Sequence, residues 1–193
     1  SIYSTTAMNK QFGSVEFIED GNFVRFSPSE TVVESVFTAY PGGNGVTGQY
    51  FVMKYRLPDE NTHKMTAFEI YTSTVNDSAK GGDGFGIAPA LKNDGQWHIA
   101  IVDLASWKKD GFSAASDGSY TAKYLRVDIF NNKFPVTNLF DLAFIGISDS
   151  KDDIYKLCTG IETVQFADLG EDGAVRVRHV DPVSGEFVEI VEE

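Results

Sequence analysis

Apolar and polar residues alternate with a period of two along most of the chain, and Gly, Pro, Asn and Asp punctuate the alternation. Such alternation is the mark of strands buried on one face. Val15-Glu16-Phe17-Ile18 and Phe23-Val24-Arg25-Phe26 flank Glu19-Asp20-Gly21-Asn22, whose Asp-Gly pair predicts a hairpin. Further strands are predicted within residues 32–40, 49–57, 66–74, 96–104, 124–130, 140–148 and 161–166, with a shorter piece at 85–88. Residues 150–158 read as the one short helix: Ser150 can cap it, Asp152 and Asp153 suit its first turn, and Gly160 stops it. Strands at this spacing with a single helix predict an all-β fold, a jelly-roll sandwich of two antiparallel sheets, and not alternating βαβ units.

The tail has its own pattern. Residues 175–180 (Val-Arg-Val-Arg-His-Val) and 186–191 (Glu-Phe-Val-Glu-Ile-Val) alternate cleanly around Asp181-Pro182-Val183-Ser184-Gly185. They predict a C-terminal β-hairpin with a basic arm facing an acidic one. The expected organisation is a β-sandwich over residues 1–172, followed at 173–193 by this hairpin or the start of a linker.

The same period divides each strand into faces. Phe51, Met53, Tyr55 and Leu57 fall on one side of their strand as candidate core, with Tyr50, Val52, Lys54 and Arg56 on the other. Phe68 and Ile70 point opposite to Glu69 and Tyr71; Trp97, Ile99 and Ile101 opposite to His98; Leu125, Val127 and Ile129 opposite to Tyr124, Arg126 and Asp128. The non-core sides therefore share aromatic rings and planar hydrogen-bonding groups. A sugar ring uses both, stacking its C–H face on an aromatic ring while Arg, Asp, Glu or His meets its hydroxyls. Tyr50, Arg56, Tyr71, His98, Tyr124 and Arg126 are the candidate ligand-binding residues, with Trp107 from a loop. The competing reading is an ordinary solvated sheet face, with Arg126 paired to Asp128 or Glu69.

Composition narrows the field. With 42% hydrophobic and 13% aromatic residues, the chain has enough apolar surface to offset the entropy of folding. Its net charge of −12 repels phosphate backbones and anionic lipid, so nucleic acid is not an expected partner. No apolar run reaches the ~20 residues a membrane-spanning helix needs, so no membrane insertion is expected. The single cysteine, Cys158, forms no intrachain disulfide and reads as a small buried hydrophobe. A start at Ser1 with no initiator Met reads as an excised or processed fragment of a larger chain.

Catalytic signatures do not emerge. The chain has no G-x-S-x-G, H-E-x-x-H or P-loop, and His63, His98 and His179 lack metal-ligand spacing. Gly81-Gly82-Asp83-Gly84-Phe85-Gly86 lacks the Lys and following helix of a phosphate loop and reads as a connection. Calcium suits the available oxygens better than zinc: Glu16, Glu19 and Asp20 cluster early and Asp168, Glu171 and Asp172 late, converging if the first and last strands lie side by side. Ordinary solvated turns account for the same clusters.

Three segments follow one another in this order: Gly95-Gln96-Trp97-His98-Ile99-Ala100-Ile101-Val102-Asp103-Leu104, Tyr124-Leu125-Arg126-Val127-Asp128, and residues 140–150 ending in Ile147-Ser148-Asp149-Ser150. Over residues 15–168 the chain resembles the galactose-binding-like jelly rolls found as carbohydrate-binding and surface modules of bacterial multimodular proteins. That resemblance implies a structural calcium joining Glu16 or Glu19 to Asp168, but carries no ligand residues, because its motifs are structural. The expected function is a non-catalytic carbohydrate-binding module, extracellular or at the cell surface, whose partners are a glycan and neighbouring domains of a parent chain. The alternative is a structural or adhesive module without glycan binding.

Overall fold

The computed structural model describes residues 7–8, 12–18, 20, 22–28, 32–39, 46–62, 68–73, 84–87, 91–106, 120–122, 124–134, 138–149, 153–154, 161, 164–169, 175–180 and 187–188. Its strands are β1 (Ala7–Met8), β2 (Phe12–Ile18), β3 (Phe23–Pro28), β4 (Val32–Ala39) and β5 (Val46–Gly48). They continue with β6 (Tyr50–Arg56), β7 (Phe68–Ser73), β8 (Gly84–Ile87), β9 (His98–Asp103) and β10 (Tyr120–Ala122). The last five are β11 (Tyr124–Phe134), β12 (Phe140–Ser148), β13 (Val164–Leu169), β14 (Val175–Val180) and β15 (Phe187–Val188). The fold is all-β. Helical geometry is confined, among the described residues, to 3-10 geometry at Asp20 and at Leu104–Ser106 and to Asp153 and Ile154 within the expected helix. The rest of residues 150–158, Cys158 included, lies outside the described residues.

The strands form an eight-stranded sheet ordered β15-β14-β13-β9-β6-β12-β3-β2, a five-stranded sheet β1-β4-β11-β7-β8, and a small β10-β5 pair. The expected hairpin joins β2 to β3, and Asn22 at its end takes φ 53°, a left-handed conformation that Asn tolerates better than most residues. The larger sheet departs from the expected antiparallel pattern in one place: β13 runs parallel to β9. A parallel pair needs a long crossover, and the chain between these two strands is long enough to build three more strands. The C-terminal hairpin continues the same sheet, with β14 pairing to β13 and β15 to β14. Gly84–Ile87, expected in part as a connection, forms the edge strand β8.

Burial is dense on β9, β6 and β12, which are neighbours at the middle of the eight-stranded sheet. Phe51, Met53, Tyr55 and Leu57 are fully buried, as their alternation predicts. The opposite face is also covered over half its length: Tyr50, Val52, Ile99 and Ile101 pack with Ile154, Ile161, Val164 and Phe166. A strand in mid-sheet is buried on both sides, so its inner and outer residues are both apolar there. Gly48 marks a close approach of two strands: a Cβ there would stand 2.7 Å from Ile147 Cγ2 and 2.8 Å from the Ser148 carbonyl.

Candidate functional site

One face of the eight-stranded sheet carries a row of charges. Arg25 on β3 and Arg56 on β6 both stand opposite Asp141 on the intervening β12. Because directly opposed residues point to the same side, register alone brings the three together. Arg25 donates from Nε to Asp141 Oδ1 at 2.7 Å and from Nη2 to Oδ2 at 3.0 Å. Arg56 donates from Nε and Nη2 to Oδ2 at 2.9 and 2.8 Å. The carboxylate is fully buried, while the two arginine side chains stay 28% and 24% exposed. A buried charge without partners would cost several kcal/mol, so two forked guanidinia are the condition for Asp141 to sit there.

Aromatic rings frame these cations. The Arg56 guanidinium lies 4.6 Å from the Trp97 ring centre and 4.8 Å from that of Phe23, and the Lys54 ammonium lies 5.6 Å from Trp97. Phe23 and Trp97 meet edge to face at 5.2 Å. Asn61 locks the approach to β12: its Nδ2 donates to the Leu139 carbonyl and its Oδ1 accepts from the Leu139 N–H, both at 2.8 Å. That side chain imitates a strand neighbour just before Phe140 and Asp141.

The other face of the same sheet holds a buried polar network. The Tyr55 hydroxyl donates to Gln165 Oε1 at 2.6 Å and accepts from the Lys92 N–H at 3.1 Å. Burial pushes its phenol pKa well above the usual range, with a smaller push from the Asp94 charge, and the Lys92 bond only partly offsets them. His98 stands opposite Tyr55 in register, and its Nε2 meets Asp94 Oδ1 at 2.8 Å. Burial acts to raise the Asp94 pKa, but hydrogen bonds from His98 and the Gln96 N–H, with the attraction of His98, outweigh it and hold the carboxyl below its ordinary value. Among the described residues, His98 Nδ1 and Gln165 Nε2 are buried side-chain atoms without a hydrogen-bond partner.

The five-stranded sheet brings together another set of predicted residues. Arg126 on β11 stands directly opposite Tyr71 on β7, and Asp128 opposite Glu69. Tyr124 lies two residues from Arg126 and so on the same face of β11. The alternate register row, Phe37, Val127, Ile70 and Phe85, is wholly apolar. The two register rows of this sheet thus differ in polarity, one apolar and one bearing Tyr71, Glu69, Arg126 and Asp128. On the flanking edge strand, Gly84 stands opposite Tyr71 and Gly86 opposite Glu69, so β8 adds no side chain to this face beside them.

The predicted ligand residues therefore divide. Tyr71, Tyr124 and Arg126 share one face of the five-stranded sheet, whereas Tyr50, Arg56 and His98 belong to the eight-stranded one. Tyr50, expected on an open face, is 7% exposed and packs 6.1 Å from Phe166. His98 faces away from Tyr50 and Arg56 and is 3% exposed. Arg56 alone of these three reaches the surface. Trp107 and Glu19 lie outside the described residues. Glu16 and Asp168 sit on β2 and β13, with four strands between them in sheet order. Among the described residues no three His, Cys, Asp or Glu side chains group as a metal set.

Asp141 and Lys54 are the partners that strand-by-strand reading passed over. The available signal was a lone acid inside the apolar run Phe140-Asp141-Leu142-Ala143-Phe144, since a charge in such a place needs a cation beside it. No protein-family model matches the chain, and no curated protein shows significant similarity to it.

Proposed function

We propose that this chain is a non-catalytic carbohydrate-binding module, built as a jelly-roll sandwich and belonging to an extracellular or cell-surface multimodular protein. The observation that carries the reading is the face of the five-stranded sheet on which Tyr71 opposes Arg126 and Asp128 opposes Glu69, with Tyr124 alongside. The glycines of β8 leave the margin of that face low. Aromatic, guanidinium and carboxylate residues at neighbouring register positions match the needs of a sugar ring: a flat apolar body and several hydroxyls that both donate and accept. The net charge of −12 supports a ligand that is not a polyanion.

A glycan array followed by calorimetry tests the proposal. Binding to at least one glycan is expected at up to millimolar concentration, with Y71A and R126A each weakening it about tenfold or more, the loss of one stacking or charge-assisted contact. No binding to plant, bacterial or host glycans would overturn it in favour of a structural or adhesive module. The paired Arg56–Asp141 and Arg25–Asp141 contacts support that second reading, because they use the strongest donors of the other sheet to hold the protein itself together.

A further inference from the structure

We infer that the ledge formed by Lys54, Arg56 and Trp97 on the eight-stranded sheet is a separate binding site for the carboxylate of an acidic sugar residue. The inference rests on the glycan reading for the class of ligand, but it concerns a different sheet and makes a separate demand on charge.

Among the described residues, the Trp97 end of this row holds two cations, Arg56 and Lys54, beside the one carboxylate of Asp141. Arg25 donates to that same carboxylate from the other side. Lys54 adds a further cation over the Trp97 ring, with no carboxylate partner among the described residues. Glu16 stands opposite Arg25 in register, three strands from Arg56 and at the far end of the row. The surplus therefore sits at the Trp97 end.

Donors are available there. Arg56 commits Nε and Nη2 to Asp141, and its Nη1 has no hydrogen-bond partner among the described residues. A guanidinium has five N–H donors in one plane, so the fork that holds Asp141 also fixes the direction of the remaining ones. Packing against Phe23 and Trp97 at 4.8 and 4.6 Å removes most of the freedom the side chain would otherwise lose on binding. A planar carboxylate meeting Arg56 Nη1 with the Lys54 ammonium beside it completes the charge balance. The half-buried Trp97 then offers an apolar edge to the body that bears the carboxylate. The strongly acidic chain disfavours long polyanions, so an isolated acid on an otherwise uncharged ring, as in a hexuronic acid unit, fits better than a phosphate backbone.

The test is calorimetric titration of the full chain with a neutral hexose oligomer ending in a single hexuronate unit, its methyl ester and an all-neutral hexose oligomer of equal length, at low and high salt. The uronate is expected to bind more tightly than its ester, with the difference shrinking as salt rises. K54Q touches no buried carboxylate and is expected to lower uronate affinity roughly two- to fivefold, the range of an exposed ion pair, with the melting temperature unchanged. R56Q is expected to lower it further, with Arg25 still holding Asp141. Equal binding of uronate and ester, or K54Q and R56Q both binding uronate like the parent, overturns the ledge and leaves the glycan reading in place. Failure of all three oligomers and of every arrayed glycan overturns both. An acidic peptide that binds the ledge as well as the uronate overturns its assignment to a sugar.

Discussion

Arg56 donates two hydrogen bonds to Asp141 from the directly opposed position on the neighbouring strand, and that carboxylate is fully shielded from water. Arg25 completes the arrangement from the other side. Two adjacent β pairings are thus tied through one side chain, which makes this point of the sheet sensitive to a change of charge.

Asp141→Asn removes the charge while keeping the shape. Two half-buried guanidinia then face a neutral acceptor, and the loss is expected to approach the ~3 kcal/mol lower end of the range for breaking a buried pair, because both arginines reach solvent. Urea denaturation measures it. A loss below about 1 kcal/mol would mean that the pairing contributes little to the sheet.

Tyr55→Phe deletes the hydroxyl that links the Lys92 N–H to Gln165 Oε1. Leaving those buried groups without it is expected to cost about 1–3 kcal/mol. The substitution also changes the alkaline limb of the stability curve. The native phenol pKa is raised above its unfolded value, so the unfolded chain ionises first; the Tyr55 contribution is full below pH ~10 and falls as pH climbs beyond it. Comparing unfolding of parent and Y55F across that interval should show a shallower decline for the variant. Parallel curves would exclude Tyr55 as a source of the slope.

Asp94 gives the opposite sign. Its native pKa is lowered, so the stability it contributes is present above the ordinary carboxylate value near ~3.9 and disappears as pH falls through the native value. Asp94→Asn is expected to flatten the acid limb of a melting-temperature profile. Its side chain is 48% exposed, so solvent screening keeps the effect small at neutral pH. An unchanged acid limb would show that the His98 contact contributes nothing to folding.

Gly48→Ala tests the close approach of β5 to β12. The new methyl would stand 2.8 Å from the Ser148 carbonyl carbon and oxygen, which are main-chain atoms and cannot turn aside as a side-chain tip can. The neighbouring bond from the Gln49 N–H to the Ser148 oxygen, 3.1 Å, would have to shift with them. A loss of about 1–3 kcal/mol is expected for such overpacking, read by thermal or urea unfolding. Parent-like stability would mean that the strands separate there without cost.

Much of the fold is legible in the sequence because its causes are local. The period of two puts Phe51, Met53, Tyr55 and Leu57 on one side of a strand, and all four are fully buried. The hairpin linking β2 and β3 follows from a turn of Asp, Gly and Asn. Less of the candidate site could be read this way. Tyr124 and Arg126 belong to one strand, so their shared face is fixed by spacing, but the placing of Tyr71 beside Arg126 depends on which strand β11 selects and in what register.

The sequence by itself determined an all-β chain, the two sides of its main strands and a surface that repels polyanions, since periodicity, turn chemistry and net charge act within a few residues or over the whole molecule. Tertiary structure alone decided that Tyr50 and His98 are buried on opposite faces of one sheet, and that β13 runs parallel to β9. It also decided that Arg25, Asp141 and Arg56, up to 116 residues apart along the chain, meet in one row. The reason is that strand order and register are set by the packing of whole sheets, and a side chain's neighbours across a sheet leave no trace in the spacing of its own strand.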